Sequence, residues 1–184
     1  MRQQMNLALI GYRGTGKTCV GQRVAERLEM PFVDADDRFE ILYGTRIADS
    51  VAVEGWSGFR AKEQAVLSKI CRTGGQVIAT GGGAILHPEN IWILKRTGQV
   101  IWLQASVQTI AKRIHGDDRT GDQRPSLTGK GVLDEIIDVL NARLPLYTCA
   151  ADACVSTDDL NLDTVAGRVC DVWRHLPEKK NPLL

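Results

Sequence analysis

The first eighteen residues of this chain constrain its fold more than any others. An apolar run, Leu7-Ala8-Leu9-Ile10, leads straight into Gly11-Tyr12-Arg13-Gly14-Thr15-Gly16-Lys17-Thr18. Apolar residues then recur at helical spacing at Val20, Val24, Ala25 and Leu28. A strand, a turn of the form G-x-x-x-x-G-K-[ST] and a helix, in that order, make a phosphate-binding loop. Its glycines allow a tight turn in which backbone N–H groups point inward. Those donors, with the positive end of the following helix, bind phosphate oxygens. Lys17 has the length to reach β- and γ-phosphates, and the Thr18 hydroxyl can ligate Mg²⁺. A glycine-rich turn with a chance Lys-Thr is the bland alternative, and the flanking strand and helix speak against it. The chain is expected to bind a nucleoside triphosphate, and its remaining residues must say what receives the phosphate.

Strand and helix patterns alternate along the rest of the sequence. Short apolar or β-branched runs predict strands at 7–10, 31–34, 77–79, 100–103 and 153–155. Helical spacing predicts helices at 20–28, 36–43, 47–53, 59–71, 89–95, 107–114, 132–144 and 162–173. Gly74-Gly75 closes the helix that ends at 71, Pro88 opens the next, Ser106 is placed as an N-cap, and Pro145 is read as a helix stop. Residues 115–130 are polar and aperiodic, and 178–184 read as a loose tail. Five strands separated by helices imply a mainly parallel sheet covered on both faces, with ligands beyond the strands' carboxyl ends. Gly11, Asp34 and Gly81 all follow strands, so they should converge on one cleft. At 184 residues, without repeats or a long linker, the chain reads as a single domain.

Charge and cysteine content narrow the partners. A net charge of +1 argues against a general nucleic-acid binder. No apolar run approaches the roughly 18 residues of a membrane span, and no signal peptide is visible. The five cysteines, Cys19, Cys71, Cys149, Cys154 and Cys170, have no CxxC spacing, so free thiols in a reducing cytoplasm are expected. A monomer is the expected state.

Several residues are candidates for chemistry. Asp34 and Asp36 close the second strand, where one carboxylate can serve Mg²⁺ and the other an acceptor hydroxyl. A helix N-cap cluster is the competing reading of the same aspartates. Arg60, Arg124 and Arg143 are candidate anion binders, although a lone arginine is more often a solvated surface residue. Arg124 lies in the aperiodic segment, which is long enough for a lid that excludes water. Gly81-Gly82-Gly83, after an apolar strand, can bring bare backbone N–H groups against a substrate. His87, His115 and His175 fit no catalytic spacing and read as surface or helix-end residues. Trp56, Trp92, Trp102 and Trp173 read as packing.

Six segments, in order along nearly the whole chain, together resemble the shikimate kinase family. They are GYRGTGKTCVG from Gly11, FVDADDRFE from Phe32, Gly58-Phe59-Arg60 with Glu63, Thr80-Gly81-Gly82-Gly83-Ala84, Arg124-Pro125-Ser126-Leu127, and Arg143-Leu144-Pro145-Leu146-Tyr147. The resemblance implies a P-loop, nucleoside-monophosphate-kinase-like three-layer α/β/α fold with strand order 2-3-1-4-5 and a lid at about 116–130. It implies ATP- and Mg²⁺-dependent phosphorylation of the 3-hydroxyl of shikimate, in aromatic amino-acid biosynthesis. By motif, Gly11, Arg13, Gly14, Thr15, Gly16, Lys17, Thr18, Cys19 and Arg124 are the implied ATP contacts. Thr18 and Asp34 are the implied metal residues. Asp36, Arg60, Gly81, Gly82, Gly83 and Arg143 would hold shikimate, with Glu63 steadying Arg60. Lys17, Asp36 and Arg124 would carry catalysis. A guanidinium fork suits the shikimate carboxylate better than lysine does.

The sequence departs from the family pattern in places. Glu54-Gly55-Trp56-Ser57 is less acidic than the family often shows, and Ser156-Thr157-Asp158-Asp159 offers no basic residue for adenine. Arg113 and Arg119 are the candidates to stack on the base. A gluconate-kinase-like enzyme would share the loop and sheet, but the DAD segment, the three glycines and the RPSL arginine favour shikimate. A nucleotide switch would carry N-K-x-D, and none occurs. A catalytically inactive nucleotide-binding module would not need Lys17, Thr18, Asp34, Asp36 and Arg124 together.

Overall fold

The computed structural model describes residues 5–116, 131–177 and 179. Arg119, Arg124 and the rest of 117–130 lie outside the described residues, as do 178 and 180–184.

Five parallel strands form one sheet: β1 (Asn6–Ile10), β2 (Phe32–Asp34), β3 (Val77–Ala79), β4 (Gly98–Gln104) and β5 (Ala153–Ser156). Their order is β2-β3-β1-β4-β5, as expected. Leu7 pairs with Val77 on one side of β1 and with Gln99 on the other, so β1 is central. Every residue of β1 is buried, as a strand covered on both faces requires. Its side chains alternate between two layers. Leu7 and Leu9 face Val20 and Val24 of α1 (Lys17–Leu28) and Val165, Val169 and Trp173 of α7 (Leu162–His175). Ala8 and Ile10 face α2 (Ala35–Tyr43), α3 (Ile47–Cys71) and α4 (Pro88–Thr97) through Phe39, Phe59, Leu67 and Leu94. A smaller cluster joins Tyr12 to α5 (Val107–His115) and α6 (Val132–Ala150) through Ile110, Ile136 and Val139.

The local signals explain most element ends. Ser106 caps α5 by accepting from the Thr109 N–H, Gly74 and Gly75 adopt positive φ after α3, and the three histidines stand at helix ends. The predicted helices 47–53 and 59–71 are both present, meeting at a kink at Gly55, whose φ of 70° and ψ of 175° are not helical. The positive φ is open to glycine. One expected helix end fails. Pro145 does not stop α6, which continues to Ala150. Arg143 and Tyr147, on either side of the proline, both bond the Gly82 carbonyl, and this anchoring outweighs the missing backbone donor. At the other end, Lys179 is not loose: it donates to Asp152 and to the Gly98 carbonyl. The thiols are free; Cys71 and Cys170 are buried and the other three exposed, with burial pushing Cys71 up to about 12.

The sheet's centre should therefore dominate stability. Leu9→Ala, at a side chain with 0% exposure, is expected to lower the unfolding free energy by about 2–5 kcal/mol. Val53→Ala, at 83% exposure, should change it by no more than about 0.5 kcal/mol. Urea unfolding of both variants checks the contrast.

Candidate active site

Three strand ends deliver the site. From β1 the chain turns through Gly11–Gly16 into α1, and Gly16, with φ 89°, sets the turn. Lys17 is buried, and its Nζ donates to the carbonyls of Gly11 (2.8 Å) and Tyr12 (2.9 Å). The lysine is thus held over the hollow of its own loop, where phosphate oxygens would compete for it. Thr15 closes the same turn by donating its hydroxyl to the Tyr12 carbonyl. Cys19 is exposed on the first turn of α1.

From β2 come the two aspartates, and they divide the readings weighed from sequence. Asp34 is the N-cap of α2: its Oδ1 accepts from the Asp36 N–H at 2.9 Å, while its Oδ2 accepts from the Thr18 hydroxyl at 2.7 Å. Asp36, in the first turn, lines the neighbouring cleft instead. The adjoining Thr18 hydroxyl and Asp34 carboxylate are hard oxygen donors beside the positive end of α1. That set fits Mg²⁺, which takes one or two protein oxygens and leaves its other positions to phosphate and water.

From β3 come the three glycines, which form one wall of a cleft of about 480 Å³, open solvent at its mouth included. Asp36, Arg60, Glu63, Gly81, Gly82, Gly83 and Arg143 all line it, so every acceptor-binding residue expected from sequence is brought together. The glycine at 81 answers to space. A Cβ there would stand 2.6 Å from Glu63 Oε1 and 2.8 Å from Asp36 Oδ1. Arg60 donates to Glu63 at 2.6 Å, and its guanidinium lies over the rings of Trp56 (5.2 Å) and Phe59 (5.0 Å). Arg143 Nη1 and the Tyr147 hydroxyl both donate to the Gly82 carbonyl, at 2.9 and 3.0 Å. Burial pushes Tyr147 up to about 12, against the lowering effect of Arg143, so its hydroxyl stays a donor at neutral pH. Two guanidinium groups therefore face one cleft with their planes fixed by aromatic, carboxylate and carbonyl partners. Such a cleft is suited to a small carboxylate held beside a phosphate loop.

Some functional features were not foreseen. Ile47, Trp56 and Phe59 form the apolar wall of the cleft. Trp56, Phe59, Arg60 and Glu63 lie at i, i+3, i+4 and i+7, a spacing that already placed the tryptophan on the arginine's face. Arg13 belongs to the phosphate loop by backbone, but its side chain lines the acceptor cleft and pairs with Glu135. Arg113 reaches the segment after β5, donating to the Gly14 carbonyl (3.2 Å), the Thr157 hydroxyl (2.9 Å) and the Thr157 carbonyl (2.9 Å). A basic side chain thus reaches 156–159 from α5. Among the described residues no group of three or more His, Cys, Asp or Glu side chains could hold a metal ion by itself.

Residues 13–174 match the family model described as shikimate kinase. The chain is 41% identical over 172 residues to a shikimate kinase of Syntrophus aciditrophicus, covering 89% of this chain and 88% of that one. It is 42% identical over 175 residues to a shikimate kinase of Symbiobacterium thermophilum, covering 95% and 99%. Among solved structures, shikimate kinase from Acinetobacter baumannii in complex with shikimate superposes with a TM-score of 0.86 at 32% identity, covering 93% of each chain. A gluconokinase from Sinorhizobium meliloti, at 16% identity and a TM-score of 0.57, shares the fold alone.

Gly81→Ala tests the spacing of the cleft. The added carbon must displace Asp36 and Glu63, and a shift of about 1 Å at a reacting group lowers turnover by about 100-fold. Steady-state turnover should fall by that order while thermal unfolding stays near wild type.

Proposed function

The chain belongs to the shikimate kinase family, and from that premise and the cleft's geometry we infer that it transfers the γ-phosphoryl group of ATP to the 3-hydroxyl of shikimate. The products are shikimate 3-phosphate and ADP, in aromatic amino-acid biosynthesis. The observation that carries the reading is the pairing of a phosphate loop with an adjoining cleft that presents Arg60, Arg143 and Asp36 together.

The division of labour follows from position. Backbone N–H groups of Gly14, Gly16 and their neighbours take the phosphates, and Lys17 leaves its loop carbonyls for the γ-phosphoryl oxygens. Arg60 and Arg143 clamp the shikimate carboxylate, while Gly81, Gly82 and Gly83 let the ring approach the backbone. Asp36 meets the 3-hydroxyl and takes its proton as the oxygen attacks phosphorus and the bond to the leaving ADP oxygen breaks. Little of this is covalent chemistry by the protein; it is alignment and charge stabilisation. Thr18 and Asp34 would hold Mg²⁺, which when bound supplies positive charge to the phosphate oxygens. Arg124 is assigned to the phosphates by motif. Arg113, beside Thr157, marks the adenine side of the loop. The protein is proposed to act as a cytoplasmic monomer on these two small molecules, without nucleic acid or membrane. A net charge of +1 gives no basic excess for nucleic acid, and among the described residues no helix is long and apolar enough to cross a membrane.

ATP consumption should be measured with Mg²⁺ and shikimate, gluconate or no acceptor. Turnover with shikimate alone is expected. Turnover with gluconate, or with neither acid, would leave the phosphate loop standing and discard the acceptor assignment.

A further inference from the structure

Helix α6 carries Glu135, Val139, Arg143 and Tyr147 at four-residue intervals, so they share one face, and all four are buried. The far end of that face is fixed to the glycine loop through the Gly82 carbonyl. The near end is fixed to something else. Glu135 Oε1 accepts from Arg13 Nη2 at 2.5 Å, across 122 residues of sequence. The two side chains are only 2% and 14% exposed, so this ion pair has been taken out of water. The Tyr12 hydroxyl is buried beside the same two charges, and burial raises its pKa. Desolvation offsets most of the attraction in such a pair, so its use lies in setting the register of what it joins. What it joins here is the phosphate loop and the helix that holds the carboxylate clamp.

Lys17 completes the connection. One of its two carbonyl acceptors is that of Tyr12, which belongs to the peptide unit leading into Arg13. A phosphate that draws Lys17 away removes one donor from that carbonyl and leaves it to Thr15, and the side chain next along the chain is the one gripping α6.

We propose that Arg13 and Glu135 are positioning residues that couple the two substrate sites. Phosphates seated in the loop set Arg13, Arg13 sets Glu135, and α6 then holds Arg143 where the acceptor's carboxylate must sit. The proposal rests on the kinase reading above. Coupling of this kind is reciprocal, so it is read from either ligand.

The test is calorimetric titration of shikimate with and without saturating Mg²⁺ and ADP. In the wild-type protein ADP should tighten shikimate binding by about fivefold or more. Glu135→Gln, which keeps the shape and removes the charge, should bring that ratio to within about twofold of unity while changing shikimate affinity without ADP by less than about threefold. Glu135→Asp, which restores the charge, should recover part of the ratio. An unchanged ratio in Glu135→Gln overturns the proposal. So does a wild-type ratio near one. So does loss of shikimate binding without ADP, which would place Glu135 in the acceptor site itself. Should Glu135→Gln fail to fold, Arg13→Met with Glu135→Leu removes both charges together, and a wild-type ratio there overturns the proposal equally. Turnover of shikimate by the same wild-type preparation keeps failure of the coupling distinct from failure of the kinase reading.

Discussion

The carbonyl oxygen of Gly82 receives two donors from a single helix, Arg143 Nη1 and the Tyr147 hydroxyl. Much of the site depends on that shared acceptor. It fastens α6 to the loop after β3, and so decides where the Arg143 guanidinium stands relative to Arg60, Asp36 and the phosphate loop. The tyrosine is well suited to the task. It is buried, it stays protonated far above neutral pH, and its ring stacks on Trp102 of β4 at 5.2 Å. The contact also accounts for the course of the helix, which runs unbroken through a proline because its docking is fixed on both sides of it.

Charge in the cleft is arranged in partnered units. Arg60 has Glu63 and two aromatic rings, Arg13 has Glu135, and Arg143 has the Gly82 carbonyl. Each partner satisfies part of a guanidinium and fixes its plane, so rotamer freedom is removed before a ligand arrives. The glycines allow these groups to converge. Without the open space at Gly81, Asp36 and Glu63 could not both approach the backbone. The phosphate side uses the same economy of parts: the Asp34 carboxylate caps α2 and accepts from the Thr18 hydroxyl, so one side chain links two helix starts.

Chemistry that is contiguous in sequence was legible there. The phosphate loop, the aspartates ending β2 and the three glycines after β3 each lie within a few residues, at strand ends whose apolar runs mark them. The order of the sheet followed from family resemblance and holds in the structure. Features that arise from contacts between distant segments were not legible. Nothing near Arg13 signals that its partner is Glu135, and nothing in 156–159 signals that Arg113 will come to it from α5. Pro145 shows the same limit from the opposite direction. The local rule for proline predicts interruption, and tertiary packing carries the helix through it. Trp56 lies between the two cases, because its spacing to Arg60 was readable but its use in the cleft needed the fold.

The central claim is that Arg143, hung from the Gly82 carbonyl, is the carboxylate clamp. The most direct measurement is the affinity of Arg143→Lys for shikimate and for ATP, titrated separately. Lysine keeps the charge and loses the planar fork. Shikimate binding should weaken by about tenfold or more, roughly 1.4 kcal/mol, while ATP binding stays within about twofold. Equal losses for both ligands would contradict the account.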